Sequence, residues 1–296
     1  MNPLEFSAVR RAYESGADVL QGVDLTLEAG QVVGLLGRNG AGKTTLIHLA
    51  MGMLEPHGGQ VRLFGQDPRL FPVEVRRRIG YVAEDQVLPS FLKVRAVLDL
   101  HRGLFPSWDD NYAAELVQRF SLPLDAKIRA LSKGQARQVA LVCAVAHRPE
   151  LLILDEPAGG LDPSARREFL ETSLQLLNES GSTILFSSHH MGDVERLAER
   201  VLLLHEGRVL LDRSLDELRE DCCLALVPED AGLDADALRA LDGCLGVRAR
   251  PGAQHAVFAA APEACQTLLA PHAAGPVRCN PVALEELFVE LTGGDA

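Results

Sequence analysis

Short apolar runs recur along the chain with the length and flanks of buried strands. Gln31–Leu36, Leu151–Leu154 and Thr183–Phe186 are strongly hydrophobic and too short for core helices, so each reads as a strand covered on both faces. Helical stretches separate them, and this alternation from Met1 to about Asp221 predicts an α/β domain built on a largely parallel sheet with helices on its faces. The rhythm changes between Glu84 and Ala130, where Pro89, Pro106 and Pro123 divide amphipathic segments such as Tyr112–Phe120. With the long helical pattern that runs on to His147, this predicts a mostly helical subdomain over about residues 84–147.

Beyond Asp221 the chain becomes rich in Ala and Leu. The pattern there predicts a strand at Cys223–Val227, a helix at Ala235–Leu241, strands near Leu245–Arg250 and His255–Ala259, a helix at Glu263–Ala270 and a strand at Val277–Asn280. That order suits a small α+β unit of the ferredoxin-like kind. The expected organisation is therefore a domain over residues 1–221 and an accessory domain over 222–296.

The length of 296 residues agrees with two such units. A net charge of −12 and a pI near 5.2 have the wrong sign for a protein that coats nucleic acid, so no nucleic-acid partner is expected, although Arg76–Arg77–Arg78 forms a local basic stretch. The six cysteines (Cys143, Cys222, Cys223, Cys244, Cys265, Cys279) show no C-x-x-C spacing; reduced thiols and a cytoplasmic location follow as expectations. No stretch reaches the roughly 18 consecutive apolar residues of a membrane span, so work at a membrane would depend on a partner.

The chemistry concentrates in a few motifs. Gly37-Arg38-Asn39-Gly40-Ala41-Gly42-Lys43-Thr44-Thr45 follows the first apolar run and opens a helical stretch, Thr45–Gly52. Glycines let the backbone curl so that successive N–H groups face one polyphosphate, and a helix N-terminus adds partial positive charge. Lys43 is placed to reach the β and γ phosphates of ATP, and Thr44 to supply a hydroxyl ligand to Mg²⁺. Leu151–Leu154 ends in Asp155-Glu156; its expected place is beside the phosphate-loop strand, with Asp155 on the metal and Glu156 orienting or deprotonating the attacking water. Leu131-Ser132-Lys133-Gly134-Gln135 precedes the helix toward His147. Ser132 and Gln135 have the spacing of a capping box, and a capped helix start is also an anion site.

Taken in order, these motifs resemble the nucleotide-binding subunits of ATP-binding cassette (ABC) transporters, whose signature loop usually reads LSGGQ. The resemblance covers Met1 to about Asp221. It is strongest to bacterial exporter ATPases encoded apart from their membrane subunits, and Leu284-Glu285-Glu286-Leu287-Phe288 resembles the tail common in that group. It implies a P-loop NTPase fold of the ABC type and a head-to-tail dimer with a second nucleotide-binding subunit, identical or related. ATP would be held between the phosphate loop of one copy and Ser132 and Gly134 of the other.

The resemblance further implies that Tyr13 stacks on adenine, that Asp162 belongs to the loop communicating across the dimer, and that His189 contacts the γ-phosphate and positions Glu156. It also implies integral membrane permease subunits docking near Glu84–Leu92, with the chain peripheral at the inner face of the cell membrane. Two residues depart from the family pattern: Glu84 stands where a glutamine is usual, still able to ligate Mg²⁺, with Gln86 a substitute only if the loop shifts; and Lys133 replaces the second signature residue. The competing readings are an importer ATPase, a soluble ABC-family ATPase acting on a non-membrane partner such as a ribosome or DNA, and a binding module without turnover. The single phosphate loop argues against the soluble members and the intact Lys43, Asp155, Glu156 and His189 against a module without turnover, which leaves the energising subunit of a membrane exporter as the leading reading.

Overall fold

The computed structural model describes residues 1–13, 16, 18–70, 72–162, 166–167, 169–171 and 181–292. Strands β1 (Leu4–Ala12), β2 (Asp18–Leu27) and β4 (Gly58–Leu63) form an antiparallel sheet in the order β2-β1-β4. Burial alternates along β2, where Leu20, Val23, Leu25 and Leu27 point inward, as expected of a sheet with one face on the core. The second sheet contains β3 (Val32–Leu36), β5 (Ile79–Val82), β6 (Leu151–Leu154), β7 (Thr183–Ser188), β8 (Arg200–His205) and β9 (Arg208–Ser214) in the order β5-β6-β7-β3-β8-β9. Its neighbours run parallel except for the β8–β9 hairpin. The largely parallel sheet expected for the whole first domain thus describes only this second sheet; the N-terminal strands alternate in burial and pair antiparallel.

One expectation is corrected. The strand ending in Asp155, β6, does not lie beside the phosphate-loop strand β3, because β7 pairs with both and separates them. All six residues of β7 are buried, and such a strand needs a neighbour on each edge and cover on each face.

The α-helices that pack with these strands include α1 (Lys43–Ala50), α2 (Val73–Arg76), α3 (Val94–Leu104), α4 (Asp110–Arg119), α5 (Lys133–Val145), α6 (Met191–Leu197), α7 (Leu215–Glu220), α8 (Ala235–Arg239), α9 (Pro262–Leu269) and α10 (Leu284–Thr292). The two-residue period of the parallel strands divides two cores. Val33, Leu35, Ile153 and Leu185 pack with α1 and the antiparallel sheet, through Leu46, Phe6 and Leu25. Val32, Leu36, Leu152, Leu154, Ile184 and Phe186 face the other way, onto Val97 of α3, Leu116 of α4 and Val139 and Val142 of α5. Burying each such side chain contributes about 1.5–3 kcal/mol, so the sheet is held from both sides and its carboxyl edge is a rigid platform.

The last strands, β10 (Cys223–Pro228), β11 (Cys244–Arg250), β12 (Ala253–Phe258) and β13 (Arg278–Pro281), form an antiparallel sheet in the order β11-β12-β10-β13. With α8 and α9 in the crossovers this is the β-α-β-β-α-β order of a ferredoxin-like unit. One face buries Ala225, Val227 and Phe258 against Leu238 and Leu269. The other places Leu224 and Val257 in a core shared with Leu218, Leu284 and Leu287, and α10 also packs against α6.

Candidate nucleotide site

The site begins where β3 turns into α1. Gly42 precedes the helix at φ 108°, and no side chain caps the helix start, so its first amide groups remain available to a ligand. A Cβ on Gly42 would lie 2.9 Å from Leu20 Cδ2 and 3.0 Å from the Val19 carbonyl, which together with its φ explains why glycine stands there. A cleft of about 430 Å³ opens in front of the turn, lined by Asn39, Gly40, Gly42, Lys43, Thr44 and Thr45, with Tyr13 and Val19 at one side and Glu84 and Glu156 at the other. Gly37 and Ala41 of the same motif turn away from it; Ala41 is buried, and a Cβ on Gly37 would meet the Leu204 carbonyl at 2.5 Å.

Lys43 is 6% exposed. Its ammonium donates to the carbonyl of Gly37 at 2.7 Å and to that of Arg38 at 3.4 Å, and lies 3.3 Å from Glu156 Oε1. A buried ammonium needs acceptors, and these three oxygens supply them. Tyr13 is half-exposed, its hydroxyl 3.3 Å from Thr45 Oγ1 and the Arg11 guanidinium 5.3 Å from its ring centre.

Across the cleft, Asp155 and Glu156 leave the end of β6, and both are buried. Glu156 sits at φ +43°, a left-handed backbone that costs a side-chain-bearing residue on the order of 1–3 kcal/mol and clusters at functional sites. The adjacent end of β7 explains how it is held. Ser187 Oγ accepts from the Glu156 amide at 2.8 Å and donates to Asp155 Oδ1 at 2.6 Å. His189 Nδ1 lies 2.9 Å from Glu156 Oε2. Glu156 therefore bridges Lys43 and His189, with one carboxylate oxygen toward each. His190 is tilted against His189 with ring centres 4.0 Å apart. Burial, the Arg166 guanidinium and His189 hold the His190 imidazole below its ordinary pKa.

Glu84 lines the same cleft, while Gln86 turns back, its Oε1 accepting from the Ala83 amide at 3.2 Å. Burial first, then the neighbouring charges of Asp155 and Glu156, push the Glu84 carboxyl above the usual range. Arg137 of α5 clamps this region: it donates to the carbonyls of Glu84 at 3.0 Å, Glu156 at 3.1 Å and Pro157 at 3.0 Å. Sequence reasoning missed Ser187 and Arg137. Ser187 sits two residues before His189 at the end of an apolar run, and Arg137 two residues after the Ser132–Gln135 motif; only the fold shows what each touches.

Glu84 and Glu156 thus line the cleft with Lys43, and the charge of Asp155 is near enough to act on Glu84. Such an excess of negative charge beside a threonine hydroxyl fits a divalent cation with oxygen ligands, and Thr44, Asp155 and Glu84 are the residues able to hold it.

Ser132, Gly134 and Gln135 do not line this cleft. Ser132 Oγ accepts from the Gln135 amide at 3.1 Å, and Gln135 Oε1 accepts from the Ser132 amide at 3.1 Å, the reciprocal pair of a capping box. The box leaves the amides of Lys133 and Gly134 outside it, and the Ser132 hydroxyl hydrogen is free to donate elsewhere. Lys133 faces a second opening of about 610 Å³, shared with Glu84, Arg137, Gly159, Gly160 and His189. Asp162 is exposed, its carbonyl accepting from the Arg166 amide at 2.8 Å. Among the described residues, no helix is long and apolar enough to cross a membrane.

Comparison with known proteins agrees with this geometry. The family model described as "ABC transporter" matches residues 20–159. The Nod factor export ATP-binding protein I of Cupriavidus pinatubonensis is 33% identical over 298 residues, covering 98% of this chain and 90% of that protein. A solved ATP-binding subunit of an ABC transporter is 32% identical, with a TM-score of 0.64 over 73% of this chain and 91% of that one. The dimeric structure of a bacterial ABC transporter cassette superposes with a TM-score of 0.63 over 72% of this chain and 98% of that one at 24% identity, a likeness of fold.

Proposed function

This chain belongs to the ABC transporter ATP-binding family and is a P-loop ATPase, and from that premise we propose that it drives export through separate integral membrane permease subunits as half of a head-to-tail dimer. The observation that carries the proposal is the division of phosphate-binding groups. Lys43 and the uncapped start of α1 line the cleft with Glu156, whereas the Ser132 loop, with its free hydroxyl hydrogen and amides, lies outside it. A second copy that brings its own Ser132 and Gly134 to the cleft would complete the clasp, with Asp162 at the seam.

Lys43 neutralises the β and γ phosphates, releasing Glu156 Oε1 from its ion pair. His189 orients Glu156, which accepts a proton from water attacking the γ-phosphate. Mg²⁺ on Thr44, Asp155 and Glu84 would neutralise phosphate charge. Ser187 fixes Asp155 and the Glu156 backbone together, and Arg137 ties them to the Glu84 loop, so closure at the phosphate is felt at the segment that follows. There Val87 is 88% and Phe91 70% exposed, an apolar surface suited to a membrane partner. Tyr13 at the mouth of the cleft would stack on adenine. The export direction follows the activity named for the Cupriavidus relative, and the location would be peripheral at the inner face of the cell membrane. The boundaries 1–221 and 222–296, with helical subdomain 84–147, are our division of the chain.

The test is Glu156→Gln. It should leave ATP binding intact, lower kcat by about 10²–10⁴-fold and accumulate an ATP-dependent dimer in light scattering. Undiminished turnover would reject Glu156 as base, and a strictly monomeric ATP-bound variant would reject the clasp. Affinity capture from native membranes should bring down a polytopic protein; a ribosome or DNA partner instead would favour the soluble reading.

A further inference from the structure

Cys222 and Cys223 are neighbours in sequence but alternate across the C-terminal sheet. Cys222 joins the core of Leu218 and Leu224, while Cys223 faces the core of Ala225, Val227 and Phe258. There it meets Cys265 of α9 and Cys279 of β13, and the three Sγ atoms lie within 4.8 Å of one another. The fold explains the convergence. In the β10–β13 register Ala225 lies opposite Cys279, and Cys223 opposite Pro281, so Cys223 and Cys279 are diagonal neighbours on one face. Cys265 and Leu269 are the buried residues of α9, one turn apart on the helix face that packs there. Cys223 and Cys265 are fully buried, and Cys279 is half-buried on the edge strand of the sheet, which leaves a way in.

We propose that Cys223, Cys265 and Cys279 form a binding site for a soft, thiophilic ion that takes three sulfur ligands. Sulfur selects soft ions over hard ones. With metal–sulfur bonds of about 2.3 Å, a planar three-coordinate ion requires sulfurs about 4 Å apart, which small side-chain rotations reach from the observed spacing. Among the described residues no histidine, carboxylate or further cysteine joins the group, so the tetrahedral set that zinc prefers is incomplete. Two ions share the required chemistry. Cuprous ion would displace one proton from each thiol that ligates it, with no change of oxidation state. Arsenous acid would exchange three As–O bonds for three As–S bonds, the three thiol protons leaving in three waters. Either would tie α9 to β10 and β13 and stabilise the folded C-terminal unit by mass action.

The experiment uses the full-length chain, reduced and kept anaerobic, titrated with cuprous ion against a competing chelator and separately with arsenite. One ion per chain is expected, with three sulfur neighbours in X-ray absorption. Cys265→Ser and Cys279→Ser should each weaken uptake more than about tenfold, the least that loss of outer-shell support alone already costs, and Cys244→Ser should leave it unchanged. The ion taken up more tightly identifies the source. In the unmutated chain the same ion should slow alkylation of Cys279, a readout independent of any variant's folding. Failure of both ions to bind, zinc binding more tightly than either, or uptake indifferent to Cys265→Ser and Cys279→Ser would overturn the assignment.

Discussion

The starts of α1 and α5 are built in opposite ways. Helix α1 follows a left-handed glycine with no side-chain cap and opens into a cleft beside a buried lysine, whereas α5 is closed by Ser132 and Gln135 in a complete capping box. The first leaves its amides to a ligand; the second satisfies the Ser132 and Gln135 amides itself and leaves those of Lys133 and Gly134 outside the box. A third start, that of α7, has the same box from Ser214 and Glu217. Local chemistry therefore does not mark Ser132 as functional. The role proposed for it is to complete a site on another molecule, and the variants below separate that role from ordinary helix capping.

The largest effect is expected on the α1 side. Lys43→Ala removes the ammonium that faces the phosphates and should cut kcat by about 10²–10³-fold, as loss of one preorganised charge-stabilising donor does. Steady-state hydrolysis checks this, and a merely structural lysine would leave the rate near normal. On the α5 side, Ser132→Ala should lose roughly tenfold in turnover, the order of one hydrogen bond to a charged group, together with about 1 kcal/mol of stability from the missing cap. Ser214→Ala should lose only the stability. Equal turnover in the two variants would reduce Ser132 to a cap.

The smallest effect belongs to α4, capped by the carboxylate of Asp109, which accepts from the Tyr112 amide at 2.9 Å. That hydrogen bond first, and the nearby Arg148 guanidinium, hold the Asp109 carboxyl below its ordinary value of 3.8. A depressed acid contributes stability that is present above the unfolded-state pKa and is lost as pH falls through the lower folded value. Asp109→Ala should cost about 1 kcal/mol near neutral pH, with the gap to the unmutated chain narrowing below pH 3.8 in denaturant titrations. A gap independent of pH would assign the loss to packing.

How far the sequence could be read follows the range of the contacts. The Gly37–Thr45 motif is contiguous and its setting is local, so the turn from strand to helix was legible. The ferredoxin-like order after Asp221 was legible because each short element has its own period. The position of β7 between β3 and β6 was not, because parallel strands are joined by long crossovers and chain order does not dictate neighbours. Ser187 reaches Asp155 across 32 positions of sequence, and Arg137 reaches Glu84 across 53. The three converging thiols lie on three separate elements, with no spacing that betrays them.

The most direct measurement mixes Lys43→Ala chains with Ser132→Ala chains, both slower than the unmutated chain when alone. In a mixed head-to-tail dimer one cleft combines an intact Lys43 with an intact Ser132 and the other carries both defects. ATPase activity of the mixture should rise several-fold above the summed rates of the separate variants. Activity no greater than that sum, in a mixture shown by cross-linking to contain mixed dimers, would contradict a site shared between two copies.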